Sequence, residues 1–399
     1  MKKFLIDEFQ EITLNSEDAF RKFLHFRKEN DKWQKVCLKE VNILGIANEP
    51  LFQMGDEMEV DVTKNDITYK VNLPLTEDAL FAIKEGLGMF LAVPVAKIPA
   101  TPLSYTGYST LLQRAGINGP VMNTFKGTSR KKALSLQKKQ NILNDCFGLF
   151  TPDSKTWGWV LFRDGRIPAF NSSAYGILNC WEICEALEEK MKEEHPDFAF
   201  HKARITEEFL TVQYLLHDDL ANDSFANLLR SFNMDVEEVQ LGIGMATSDV
   251  GLSEVVAYPF LILNNRTEIR IGRGIGMRHD SCNDIPAFKK VIVPLASVFD
   301  ECEDRIEKLG NTDINNVGVV VNAICQNNPT IFPKEFVDSY RKNLRVSAKP
   351  DGTAMDCYLA LYDIAEAYMT AKKPSINRRL VILDHVSRLM FADFKKYDI

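Results

Sequence analysis

The sequence predicts an α+β fold: an antiparallel strand-rich body with packed helices, followed by a C-terminal all-helical part. Three observations carry this. Short stretches of β-branched and aromatic alternation recur up to about residue 275. Amphipathic helical stripes interrupt them, and after Pro286 the period becomes helical and stays so. The 399 residues, 45% hydrophobic, suffice for one large core or two modest ones. The predicted regions are 1–150, an N-terminal α+β region ending in a basic helix; 151–295, a strand-rich α+β core; and 296–399, a C-terminal helical region. Neither an internal repeat nor a flexible linker divides them.

The first helix starts at Asn15 or Ser16 as N-cap and carries Phe20, Phe23 and Leu24 as its apolar stripe. Strands are predicted over 33–46, 57–63 and 67–73, the last two joined through Lys64-Asn65-Asp66. Thr76 caps a short helix that Gly86 or Gly88 ends. A second short helix runs from Ser109 to Ala115 and stops at Gly116, before the turn chemistry of Gly116-Ile-Asn-Gly-Pro120. Thr128 or Ser129 opens the basic helix, which continues to about Asp145. On a helical wheel its apolar face is Ala133, Leu136, Leu143 and Phe147, and its opposite face pairs Lys131 with Lys138 and Lys132 with Lys139. Trp157 to Phe170 forms a hairpin turned at Asp164-Gly165, a pair suited to type I′ geometry. Trp157 and Trp159 share one of its faces, most simply the core face. A helix follows from about Tyr175 to Glu194. Strands are then predicted at 198–205, 208–216, 236–247, 253–263 and 266–273, with a helix at 223–232. Helices at 296–309, 333–344, 353–372 and 375–392 complete the chain.

Charge is distributed unevenly. Between Glu85 and Asp145 lie 59 positions without an acid, and they hold Lys97, Arg114, Lys126, Arg130, Lys131, Lys132, Lys138 and Lys139. That window carries +8, so the rest of the chain carries −15 of the net −7. Segregation on this scale predicts a basic surface on an acidic molecule. A second set of cations, Arg266, Arg270, Arg273 and Arg278, lies along strands made bare by Gly242, Gly244, Gly272, Gly274 and Gly276.

Several classes are excluded or disfavoured. Apolar runs such as 88–96 and 316–325 are far shorter than the roughly 18 residues of a membrane span. The acids in Met-Lys-Lys-Phe-Leu-Ile-Asp-Glu cut short any signal region, so the expected location is cytoplasmic, in the host cell interior. Eight cysteines with no CxxC pair predict scattered buried thiols. The Gly272-x-Gly274-x-Gly276 run lacks dinucleotide spacing, and neither a P-loop nor a GxSxG elbow occurs. His217, Asp218, Asp219 and Asp223, or His279, Asp280 and Asp284, are the carboxylate groups a metal-dependent enzyme would draw on. Acids in such loops serve more simply as helix caps, and no cofactor is predicted.

Several segments resemble a known family. Thr247-Ser-Asp249-Val-Gly251-Leu-Ser253, the strand 254–263 and Arg273-Gly-Ile-Gly-Met277 are similar in order to the phage/plasmid-like protein family known as domain of unknown function 932. Tyr108-Ser-Thr-Leu-Leu-Gln-Arg114-Ala-Gly-Ile and Gly352-Thr-Ala-Met-Asp356 extend the resemblance over roughly 104–390. Ile-Gly-Met stands here where that family has Asn-Gly-Met, and its usual Cys is absent or displaced to Cys282. The resemblance implies a setting of mobile elements, beside replication and recombination genes, and supplies no catalytic residue.

The predicted function is therefore that of a phage or mobile-element protein which binds nucleic acid, single-stranded rather than double, without a catalytic cycle and as a possible homo-oligomer. Its contacts are Lys126, Arg130, Lys131, Lys132, Lys138, Lys139, Arg266, Arg270, Arg273 and Arg278, because phosphates need a row of cations. Two alternatives are a virion-structural or host-defence-inhibiting protein whose basic face docks an acidic partner, and a metal-dependent nucleic-acid enzyme.

Overall fold

The computed structural model of the chain describes residues 10–47, 56–64, 66–84, 87–127, 134–148, 156–232, 234–265, 267–347 and 351–398. In chain order its elements are β1 (Ile12–Leu14), α1 (Glu17–Asn30), β2 (Asp31–Cys37), β3 (Asn42–Gly45), β4 (Glu57–Lys64), β5 (Ile67–Pro74), α2 (Glu77–Lys84), β6 (Met89–Val93) and β7 (Ile98–Pro102). Then come α3 (Tyr105–Arg114), α4 (Gly119–Lys126), α5 (Leu136–Gly148), β8 (Trp157–Arg163), β9 (Arg166–Ser172), α6 (Cys180–Glu194), β10 (Ala199–Ile205), β11 (Leu210–Leu215), α7 (Asp219–Ser231), β12 (Val239–Thr247) and β13 (Val255–Leu263). The last are β14 (Thr267–Arg270), β15 (Ile275–Met277), α8 (Ile285–Val291), α9 (Val298–Gly310), α10 (Val317–Asn327), α11 (Lys334–Ser347), α12 (Ala354–Lys372) and α13 (Ile376–Arg388). The fold is α+β, as predicted.

Local chemistry sets many of these boundaries. Ser16 accepts a hydrogen bond from the Ala19 amide at 3.2 Å and starts α1. Thr76 does the same for α2, accepting from Ala79 at 3.1 Å. The hairpin β8–β9 turns where Asp164 and Gly165 both adopt positive φ, 44° and 75°. The predicted strand 33–46 is two strands in different sheets, parted by a 3-10 turn at Leu38–Glu40. Pro120 sits in the first turn of α4, so the segment read as turn chemistry begins a helix.

The main sheet is antiparallel, in the order β1-β10-β11-β12-β13-β14, with β15 also pairing β13. Its inner face, including Ala203, Val212, Ile243 and Leu261, joins one large core with α1, α6, α7, α9 and α12. On its outer face Ala246, Tyr258, Phe260 and Ile262 form a small cluster against Leu380 of α13. Two three-stranded sheets, β2-β8-β9 and β3-β6-β7, stand beside it, with β4–β5 as a separate hairpin. Hydrogen bonding therefore crosses residue 150, since β2 pairs with β8 and β1 with β10.

Side chains seal two of the sheet edges. Asn144 of α5 accepts from the Ile43 amide at 2.8 Å and donates to the Ile43 carbonyl at 2.9 Å, while Gln140 accepts from Gly45 at 2.7 Å. At the other edge Tyr362 of α12 accepts from the Arg270 amide at 3.2 Å and donates to the Glu268 carbonyl at 3.1 Å. Exposed strand edges are otherwise templates for aggregation. Among the described residues no helix is long and apolar enough to cross a membrane.

Candidate nucleic-acid interface

Strand alternation on β2-β8-β9 divides that small sheet. Val36, Val160 and Phe170 enter a hydrophobic core, whereas Trp33, Lys35, Trp157, Trp159 and Leu161 share the other face. Leu161 and Ala169 of this face are covered by Val250, with Trp33 and Leu252 packed alongside. The cover ends there. Trp157 remains 48% exposed and Trp159 half-buried. The predicted core role for these two tryptophans is thus corrected, because nothing among the described residues roofs their end of the sheet. Lys35 lies opposite Trp159 in register, and its Nζ is 5.9 Å from the ring centres of both Trp157 and Trp159. Lys35 has no ion pair among the described residues.

The aromatic row continues inward. Trp33 is 5.2 Å from Tyr175, and Tyr175 stacks on His279 at 5.1 Å with 3° between the ring planes. His279 donates its Nδ1–H to the Gly176 carbonyl, 3.2 Å away, and burial lowers its pKa. Arg278, next in the chain, is exposed.

Beneath the row lies a buried ionic cluster. Arg163 meets Asp31 with two nitrogens at 2.6 Å each, and its Nη2 also reaches Asp249 at 2.7 Å. Arg27 adds a second guanidinium, 3.8 Å from Asp249 and 4.0 Å from Asp31, and lies over the Phe23 ring. The Tyr175 hydroxyl donates to the Asp249 carbonyl at 3.1 Å. Thr247 and Ser248 beside it are fully buried, and Gly251 adopts φ +81° against Asn171 and Tyr175. The segment Thr247–Ser253 is therefore a clamp: it leaves the end of β12 in the main sheet and is pinned by charge to β2 and β8 in the small one. A buried charge pair of this kind is tolerable only because each charge is met.

The predicted cations fare unequally. Arg130, Lys131, Lys132 and Arg266 lie outside the described residues. Lys138 is exposed. Lys139 is buried, with its pKa lowered by burial, because it stands one helical turn before Leu143 and so on the apolar side of α5. Lys126 lies 4.7 Å above the Tyr105 ring, and burial lowers its pKa too. Arg270 is internal: its Nη2 bonds Asp384 at 2.9 Å and its guanidinium lies 4.1 Å over Tyr258. Arg273 is exposed and stands 4.4 Å over Phe391, which also has Arg305 at 5.0 Å. The bare strand is not bare either. A Cβ at Gly242 would lie 2.3 Å from the Phe260 ring, and one at Gly244 2.4 Å from the Tyr258 ring, so the aromatic rings of β13 lie flat across β12.

Three of the acids considered for metal chemistry are occupied, Asp218 and Asp284 as helix caps and Asp280 in a turn. Asp218 accepts from Ala221 at 3.1 Å, Asp284 from Ala287 at 2.8 Å, and Asp280 from Cys282 at 3.2 Å. No group of three potential ligands that could hold a metal occurs among the described residues. Cys180, Cys184, Cys302, Cys325 and Cys357 are buried and unbridged, and burial raises each thiol pKa, which keeps it protonated.

Comparison of the chain with protein-family models, with curated proteins and with solved structures found no match. The resemblance described above thus rests on the quoted residues alone.

Proposed function

We propose that the protein binds single-stranded nucleic acid, with Trp157 and Trp159 as a base-stacking platform and Lys35, Arg278 and Arg273 as phosphate contacts. One observation carries this reading: two indoles two residues apart on an open sheet face, with an unpaired ammonium between them. Large aromatics are costly to leave in water, and unpaired bases offer the flat apolar faces that would cover them. Duplex bases keep those faces stacked on one another, which favours single strands. Arg278 and Arg273 bracket β15 and would extend the contact along the backbone. A replication or recombination setting in a mobile element, which the family resemblance implies, belongs to the same proposal.

Fluorescence anisotropy with single- and double-stranded oligonucleotides at two salt concentrations tests it. Base–aromatic stacking contributes about 1–3 kcal/mol per base, so Trp157→Ala and Trp159→Ala should each weaken single-strand binding by roughly five- to a hundredfold. Three phosphate contacts give a slope of log K against log salt of about −2 on single strands. Equal affinity for duplex and single strand, or full affinity in the Trp157→Ala, Trp159→Ala double variant, would overturn the reading.

A further inference from the structure

The C-terminal helices hold a second site. A cavity of about 210 Å³ lies at the end of α9, against the segment that follows α13, and its wall includes Arg305, Lys308, Thr312, Met390, Phe391 and Asp393. A cavity of about 150 Å³ already encloses a benzene, so this one takes a small organic molecule rather than a few waters. Its cations converge without a counter-charge. Arg305 of α9 and Arg273, from the loop between β14 and β15, lie over the one ring of Phe391 at 5.0 and 4.4 Å. The two guanidinium groups are thus no more than about 10 Å apart, one Debye length at 0.1 M salt, and repel each other. Lys308 adds a third positive charge from the last turn of α9, where it complements the helix dipole. That accounts for its place on the helix, but not for Arg273 brought to the same ring from another element. Partners are at hand: Glu301 stands four residues before Arg305, and Asp304 four before Lys308, the favourable order for a helical ion pair. Among the described residues neither pair forms, and Asp393 pairs with neither cation. The charges are within reach of a ligand. Lys308 and Asp393 are exposed, and the half-buried Arg305 has no nitrogen that is both buried and unpartnered.

We infer that this cavity binds a small phosphate monoester with a hydroxyl-bearing body. Such a phosphate carries close to two negative charges at neutral pH and three strong acceptor oxygens. It suits a guanidinium fork with a neighbouring ammonium better than a single carboxylate does. Arg305 and Lys308 hold the phosphate, and Arg273 adds attraction from beside Phe391. Asp393 accepts from the hydroxyl groups of the ester, and the carbon body lies against Met390 and Phe391. Thr312 takes no part, since its hydroxyl already donates to the Lys308 carbonyl at 2.7 Å. An internal phosphodiester has a single charge and continues on both sides, so it matches the site less well. The monoester is either a free sugar phosphate or the phosphorylated end of a strand. Arg273 is the only residue shared with the strand contacts proposed above, and a free ester needs no strand in order to bind.

Isothermal titration calorimetry of the full chain with ribose 5-phosphate and with ribose tests the inference. One equivalent of the ester should bind, and ribose, which lacks the charge, should bind at least about tenfold more weakly. The Arg305→Gln, Lys308→Gln double variant should lose at least about tenfold in affinity for the ester. The Trp157→Ala, Trp159→Ala double variant should keep its full affinity, so this site and the stacking platform can fail separately. The comparison of ester with ribose on the unaltered protein needs no variant to fold. Displacement of the ester by a 5′-phosphorylated oligonucleotide, and not by its 5′-hydroxyl counterpart, assigns the phosphate to a strand end. Displacement by neither assigns it to a free small ester. Equal displacement by both would overturn the inference, as would no saturable binding of ribose 5-phosphate, ribose binding as tightly as its ester, or full affinity in Arg305→Gln, Lys308→Gln.

Discussion

Asp249 is met by two guanidinium groups inside the protein, and its neighbours show what its removal would do. With Asp249→Ala, Arg27 and Arg163 would keep Asp31 as their ion-pair partner, with Glu207 acting on Arg27, and the cluster would lose one of its buried counter-charges. Breaking a buried pair from one side costs about 3–5 kcal/mol, against about 0–1 for an exposed pair such as Lys22–Asp18. Urea denaturation of Asp249→Ala and of Asp18→Ala should reproduce that contrast. Histidines add a pH dependence of definite sign. Burial lowers the pKa of His201, His279 and His385 below the ordinary 6.5, so between the two values the unfolded chain takes up protons that the native state refuses. Stability should hold above about pH 6.5 and fall as the pH drops below it. Thermal denaturation across that range should show a shallower fall in His279→Phe, which keeps a ring on Tyr175 and removes one titration. At this scale the sequence misled where spacing was read too coarsely. Lys139 pairs by seven with Lys132, yet four residues separate it from Leu143, and the shorter interval decides its side of the helix.

At the scale of elements, helix α5 acts as a substitute strand. Its Asn144 and Gln140 supply to β3 the donors and acceptors that another strand would have supplied. Asn144→Leu leaves the buried Ile43 amide and carbonyl unmatched, at about 1–3 kcal/mol for each orphaned group. A lower urea midpoint with an unchanged m-value would register this loss, and an unaffected midpoint would show that water reaches the edge. This pairing was invisible in the sequence, since neither amide belongs to a recognisable motif. Strand β6 was illegible for a different reason. Met89, Leu91 and Val93 enter one core and Phe90 and Ala92 another, so every residue is buried and no alternation survives to be read. The hairpin β8–β9 was legible because its turn needs two positive φ angles, which Asp-Gly announces. The open end of its tryptophan face was not, since exposure depends on where Val250 and Leu252 stop covering it.

At the scale of the molecule, stability should be graded from the main sheet outward. Strands β12 and β13 are buried along almost their whole length, whereas β4 and β5 pair only with each other and alternate with exposed positions. Hydrogen–deuterium exchange should therefore be slowest in Leu241–Met245 and Val255–Leu261 and fastest in the β4–β5 hairpin. The predicted α+β class and the helical C-terminal quarter came from periodicity alone. How the sheets join could not, because the joint is the charge cluster at Asp31, Arg163 and Asp249, whose contacts span 132 and 86 residues of chain.

One proline in β13 has an effect beyond its own strand. The Pro259 carbonyl accepts from Ile271 at 3.1 Å, and in an extended chain a residue's nitrogen points the same way as its carbonyl. On that side the ring leaves no hydrogen to offer, and there the outermost strand breaks into β14 and β15 around Gly272, whose φ is +66°. The detour carries Arg273 out to Phe391. The pairing also slips there by two residues, from Phe260↔Arg270 to Ala257↔Ile275, so the border bulges at the place where the proline offers no proton, and the bulge sets the reach of a cation on the next strand.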